Sequence, residues 1–143
     1  MQTKRYKPLI DKLFWIILIP TVILLALGTA LACYAPLALF ILIFIDFITL
    51  YFIIAPLFGY VELGEKTLFV KFGFFMKREI PYEKIRGAVK ERKLYSDSLV
   101  SLKNAIPHVN IKYNSFDVIT VSVEDNDAFI GELATRVEKT MAI

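Results

Sequence analysis

The chain has 143 residues and a mass of 16.4 kDa, carries 57% apolar residues at a mean hydropathy of +0.58, and bears a formal charge of +3. The apolar share exceeds the about 45–50% of a soluble domain and excludes intrinsic disorder; six glycines exclude collagen, and the lack of heptads excludes a coiled coil. One cysteine and one histidine exclude an internal disulfide, a cysteine-built zinc site and a histidine-rich metal site.

Residues 1–12 read as a basic tail, with Lys4, Arg5, Lys7 and Lys12 against Asp11. Two apolar runs follow. Leu13 to Cys33 carries no charge, and Pro36 to Phe58 carries one, Asp46. About 20 mostly apolar residues cross a bilayer, so both runs are long enough. Only Tyr34 and Ala35 separate them. The expectation is therefore a tight antiparallel hairpin over 13–58. Pro36 suits the first turn of its second helix, and Pro56 and Gly59 mark the end. Pro20 predicts a kink in the first helix. Lys and Arg flank the pair at both ends and are absent from the link, which places both flanks in the cytoplasm. The inner membrane of a bacterium, crossed twice, is the expected location. Trp15, Tyr51, Tyr6 and Tyr60 would line its cytoplasmic side. A competing reading takes Ala30-Leu31-Ala32-Cys33 as a lipoprotein cleavage site. It fits poorly, because the apolar run exceeds a signal peptide's and a second run follows at once.

Ala26/Ala30 and Gly28/Ala32 are small-xxx-small pairs, the spacing that lets helices approach closely in lipid. Asp46 falls near the middle of the second run. A charge at the bilayer centre costs about 2.5–3.5 kcal/mol, so its carboxyl should face the partner helix or another subunit. Thr21, Thr29 and Thr49 are its candidate partners. Two helices and one carboxyl are too few for a transport path. A polar key to helix pairing or to a homo-oligomer is the better reading.

Residues 60–143 change period. Tyr60–Leu63, Thr67–Phe72, Phe74–Ile80, Ile85–Arg92, a stretch from Leu99, Val109–Tyr113 and Phe116–Val123 read as about seven short strands. Leu68, Val70 and Phe72 alternate with Phe69 and Lys71. Phe129, Leu133 and Val137 then recur at helical spacing, with Asp125 or Asn126 as N-cap. Strands closed by one amphipathic helix predict a small barrel or twisted sheet plugged by that helix. The fold class is a membrane α-helical hairpin joined to a mainly-β, α+β domain.

Ile80-Pro81-Tyr82-Glu83-Lys84-Ile85 resembles the turn after the third strand in bacterial pleckstrin-homology-like (PH-like) domains. The stretches Val109-Asn110-Ile111-Lys112-Tyr113 and Val121-Ser122-Val123-Glu124-Asp125 are similar to their closing strands. Phe129-Ile130 and Leu133 match their final helix. The resemblance covers about residues 60–140. It implies a PH-like domain that serves binding or scaffolding and not catalysis, which the charge pattern places in the cytoplasm. The layout also resembles small immunity factors against membrane-active bacteriocins, which implies an alternative: protecting the host membrane from a cationic pore-forming peptide.

No phosphate-cradling motif occurs, and no cofactor is expected. His108 stands alone and reads as a surface or strand-edge residue; no enzyme chemistry is expected. Charge is unevenly spread. Lys66, Lys71, Lys77, Arg78, Lys84, Arg86, Lys90, Arg92 and Lys93 face only Glu79, Glu83 and Glu91, a net of +6 over 66–93. Residues 94–143 hold four bases and seven acids, a net of −3. Anionic lipid attracts a nearby Lys or Arg by about 1 kcal/mol each. These nine residues are the candidate binding face for the bilayer, an acidic headgroup, a peptide or a partner membrane protein. Nucleic acid is not expected, because Phe69, Phe72, Phe74 and Phe75 read as core residues unavailable for stacking.

Overall fold

The computed structural model describes residues 2–98, 101–103 and 105–142. Eleven elements follow in the order β1 (Lys4–Tyr6), α1 (Lys12–Leu31), α2 (Pro36–Ile54), β2 (Tyr60–Leu63), β3 (Thr67–Phe72), β4 (Met76–Pro81), β5 (Ile85–Arg92), β6 (Ser101–Leu102), β7 (Pro107–Tyr113), β8 (Asp117–Val121) and α3 (Asn126–Met141). The runs expected at 13–33 and 36–58 are α1 and α2, each extended by a short 3-10 turn. Pro36 occupies the first turn of α2. Helix α1 continues through Pro20. Each helix is long and apolar enough to cross a membrane, and neither apolar window is buried in the protein.

The Asp46 carboxylate oxygen Oδ2 accepts a hydrogen bond from the Thr29 hydroxyl of α1. One chain therefore supplies both halves of this polar contact. The small-residue pairs of α1 behave differently at Gly28. A Cβ added at Gly28 would meet nothing within 4 Å, so this glycine permits no close approach inside the chain.

Two four-stranded sheets make the domain, in the orders β1-β2-β3-β4 and β5-β7-β8-β6. All pairs are antiparallel except β6 with β8. Period-two alternation sends Val61, Leu63, Leu68, Val70 and Ile80 inward from the first sheet. They meet Ile85, Val109, Ile111, Ile119 and Val121 of the second. Helix α3 closes the core with Phe129 and Leu133. Asp125 is its N-cap and accepts from Ala128 N at 2.9 Å, a contact worth about 1 kcal/mol. The Ile80–Ile85 turn joins the sheets. There Tyr82 is fully buried, donates its hydroxyl to the Gly64 carbonyl at 2.8 Å, and accounts for an aromatic residue at that position.

Four expectations are corrected. Residues 4–6, read as part of a tail, are a strand paired with β2 in the register Lys4–Leu63, Arg5–Glu62 and Tyr6–Val61. Three residues are too few to display alternation. The fourth strand begins at Met76, because Gly73 at φ +63° starts a turn. Phe74 and Phe75 consequently point outward, 59% and 84% exposed, and do not join the core. His108 is neither on the surface nor on an edge. It lies on β7, between β5 and β8, fully buried, with Nδ1 donating to the Ile106 carbonyl at 2.9 Å. The strand expected from Leu99 starts outside the described residues; Ser101–Leu102 continue it as β6.

Arg136 also lies in the interior, with a side chain 4% exposed. Nη1 donates to the Leu63 and Gly64 carbonyls at 2.9 and 2.7 Å, Nη2 to the Gln2 carbonyl at 2.8 Å, and Nε to Glu132 at 2.9 Å. That last bond is the main reason the Glu132 carboxyl titrates below its usual 4.5. A depressed carboxyl stabilises the fold fully above the unfolded value and loses that contribution as the pH falls through the folded value. Domain melting temperature should therefore hold steady down to about pH 4.5 at this site and drop below it. Glu132→Gln should flatten that part of the profile, as read by thermal melts across pH.

Candidate functional site

The domain meets the hairpin at one end. Asp11 caps α1 through Oδ1, which accepts from Leu13 N at 2.8 Å, while Oδ2 accepts from Ile106 N at 3.0 Å. The base of the first helix is thus tied to the β6–β7 connection. At the base of α2, Gly59 sits so close to β3 that a Cβ there would lie 2.5 Å from the Lys71 carbonyl. The β3–β4 turn folds back onto α2. Phe74 stacks on Phe58 at 4.9 Å between centroids, and Phe75 approaches Tyr51 at 5.9 Å. Gly73 packs on Ala55, where a Cβ would come within 2.7 Å of the alanine's own.

On the other flank Leu94 and Lys103 border a cleft with Leu13, Phe14, Ile17 and Phe52. Lys103 Nζ donates to the Lys93 and Tyr95 carbonyls at 2.6 and 2.7 Å and ties this loop to the end of β6 beside the cleft. Burial holds the Lys103 ammonium below its ordinary value.

The nine candidate cations do not share one face. Opposed residues of an antiparallel pair lie on the same side, so Tyr60, Lys71 and Lys77 form one row on the outer surface of the first sheet. Lys71 Nζ stands 5.8 Å from the Tyr60 ring, and Arg5 covers that ring at 4.0 Å. Lys66 lies at the opposite end of β3 from the Phe74–Phe75 turn, and Lys84 in the 3-10 turn before β5. Arg78 points into a groove that also holds Asp97 and Asp117. Arg86 donates to the Ser115 carbonyl at 3.4 Å. Lys90 is paired with Asp127 at 2.7 Å, and Lys93 with Glu91 at 2.7 Å. Arg92 is exposed at the end of β5. The strand reversals at 73–75 and 82–84 disperse what is contiguous in sequence. Arg5 and Lys103, outside the 66–93 stretch, also lie near this end of the domain. The first was assigned to a tail, and the second falls in an acidic stretch.

Lys71 and Lys77 are distinctive. They stand directly opposite one another, a placement of like charges that destabilises a sheet. Neither joins the ion pairs formed among the described residues. Both flank the aromatic turn that touches α2.

A second concavity, about 250 Å³, runs between β5 and α3 and is lined by Ile85, Ala88, Ile130, Val137 and Met141. The outer face of the second sheet carries a buried polar row. The Thr120 hydroxyl donates to Asn110 Oδ1 at 2.6 Å, and Asn110 Nδ2 donates to Asp97 at 2.7 Å. Among the described residues no group of three or more His, Cys, Asp or Glu could hold a metal ion.

Residues 59–137 match the family model described as a bacterial PH domain. No curated protein and no solved structure matches the chain. The family match takes in β2 to β8 and most of α3 and leaves β1 outside. PH domains serve in general as binding and scaffolding modules and not as catalysts. Covering 79 of 143 positions, the match assigns this chain to the bacterial PH domain family.

Proposed function

We propose that this chain is a non-enzymatic integral membrane protein whose two apolar helices cross the bacterial inner membrane as a hairpin and hold the PH domain against the cytoplasmic leaflet, where Lys71 and Lys77 bind anionic lipid. The observation that carries the reading is the pairing of β1 with β2. The hairpin is inserted between two hydrogen-bonded neighbours in one sheet. Its ends must therefore emerge on the same side, which requires an even number of crossings. Two crossings suit the helices, since a large apolar side chain left in water forgoes about 1.5–3 kcal/mol. Phe40, Phe44, Phe47, Leu24 and Leu31 are all more than 60% exposed along α1 and α2.

Basic residues on the flanks fit a cytoplasmic domain. The opposed lysines support the lipid reading, because an anionic headgroup between them would relieve their repulsion. The full chain carrying Lys71→Gln and Lys77→Gln tests this in bilayers of neutral lipid with a minority of phosphatidylglycerol. At low salt the native chain should enrich spin-labelled phosphatidylglycerol over phosphatidylcholine, and each lysine removed should lower that enrichment by up to about fivefold. Lys90→Gln, at a residue paired with Asp127, should change it little. Equal association of the two lipids with the native chain would contradict lipid binding at this site.

A further inference from the structure

We infer that the β3–β4 turn with the first residue of β4, Phe74-Phe75-Met76, is a third membrane-contacting element, lodged in the headgroup–acyl boundary of the same leaflet that the hairpin enters. The inference rests on the reading of α1 and α2 as membrane spans, and its level follows from contacts with α2. The apolar segment Pro36–Phe58 has 23 residues. At about 1.5 Å each it runs about 34 Å, slightly more than the about 30 Å of bilayer hydrocarbon. Tyr51 lies seven residues, about 10 Å, before its cytoplasmic end. Phe75 rests against Tyr51, and Gly73 against Ala55. The turn therefore sits at the depth of the segment's last two helical turns, below the level at which the segment leaves the bilayer.

Its surface fits that level. Phe74, Phe75 and Met76 are 59%, 84% and 41% exposed and continue the apolar surface of the Pro36–Phe58 segment through Phe58 and Tyr51. In water such a continuous apolar patch would be a liability. Lys71 and Lys77 stand one residue beyond Phe72 and Met76, where ammonium groups can reach the phosphate layer. Gly73 makes the approach possible. Its left-handed backbone turns the strand, and its missing side chain lets the turn seat on Ala55. The turn would fix how the PH domain is oriented on the membrane, which two helices alone leave free to rock.

The chain has a single tryptophan, Trp15, on α1. The test moves it: Phe75→Trp in a Trp15→Phe background, reconstituted as the full chain in vesicles containing lipids brominated on the upper acyl chain. Quenching to about half the emission is expected for a ring held about 5–10 Å into the boundary. Phe116→Trp, on the β7–β8 turn that bonds to Lys84 and Arg86 at the other end of β4 and 96% exposed in the native chain, should stay unquenched. Phe74→Trp gives a second reading at the same turn. Quenching of native Trp15 without quenching at either turn position would overturn the inference and leave the hairpin standing. An unquenched Trp15 would overturn both.

Discussion

A fragment beginning at Gly59 is expected to lose most of its stability, although it contains the whole family match. It lacks β1, so β2 becomes an unpaired edge. It lacks Tyr6, which is 8% exposed and packs edge-on against Phe129 at 5.3 Å. It also loses the Gln2 carbonyl from Arg136, the Leu9 N bond to the Ser122 carbonyl and the bond from Glu124 N to the Lys7 carbonyl. Truncating one buried aromatic costs about 3–5 kcal/mol, a large part of the roughly 5–15 kcal/mol that holds a domain together. Circular-dichroism melts of the fragment should show a broad, early transition or none, and a peptide of residues 2–10 added in trans should restore part of it. In the full chain Tyr6→Ala should reproduce much of the loss. A fragment that melts as high as the full chain's domain would show that β1 is dispensable.

The second large effect is expected at Arg136. Arg136→Leu should destabilise the domain by about 3–5 kcal/mol, the range for breaking a buried charge network. Three carbonyls, of Gln2, Leu63 and Gly64, would lose their donor at once. Removing acceptors' partners inside a protein costs more than the bonds are worth in water. Arg136→Lys should recover only a fraction, because an ammonium cannot reproduce the planar fork that reaches the β2–β3 end and the N-terminal segment together. Thermal melts of the two variants beside the native chain measure both effects. A leucine variant with an unchanged melting temperature would refute the network's role.

Strand β1 and Arg136 also mark the limit of what the sequence displays. Strands β2, β3 and β7 were legible because their apolar residues alternate over enough positions, and α3 because Phe129 and Leu133 recur at helical spacing. Arg136 lies three residues after Leu133, on the face that reads as apolar, and a charge there is the one available hint that it is buried. β1 left no hint. Three residues before a long apolar run cannot display a period, and their partners lie across the whole hairpin, |i−j| = 57 for Arg5 and Glu62. The basic stretch 66–93 was legible as composition and misleading as a surface, because two reversals send its members to different sides. Only the pair Lys71 and Lys77 emerges facing itself beside the hairpin. Of the three threonines that the sequence offers as partners for Asp46, the helix pairing brings Thr29 opposite. The outward turn of Phe74 and Phe75 needed Gly73's positive φ, which the residue type permits and does not require.

A hairpin that crosses the bilayer twice between two strands of one cytoplasmic sheet would separate its tip from the domain by the full bilayer. Tyr34 at the hairpin tip and Phe116 on the β7–β8 turn are 95% and 96% exposed, so a cysteine at either should react alike unless lipid separates them. In a Cys33→Ser background, which removes the single native cysteine, Tyr34→Cys should be labelled by a membrane-impermeant maleimide added outside intact cells. Phe116→Cys should be labelled only after the membrane is opened. Labelling of both in intact cells, or of Phe116→Cys alone, would contradict the account.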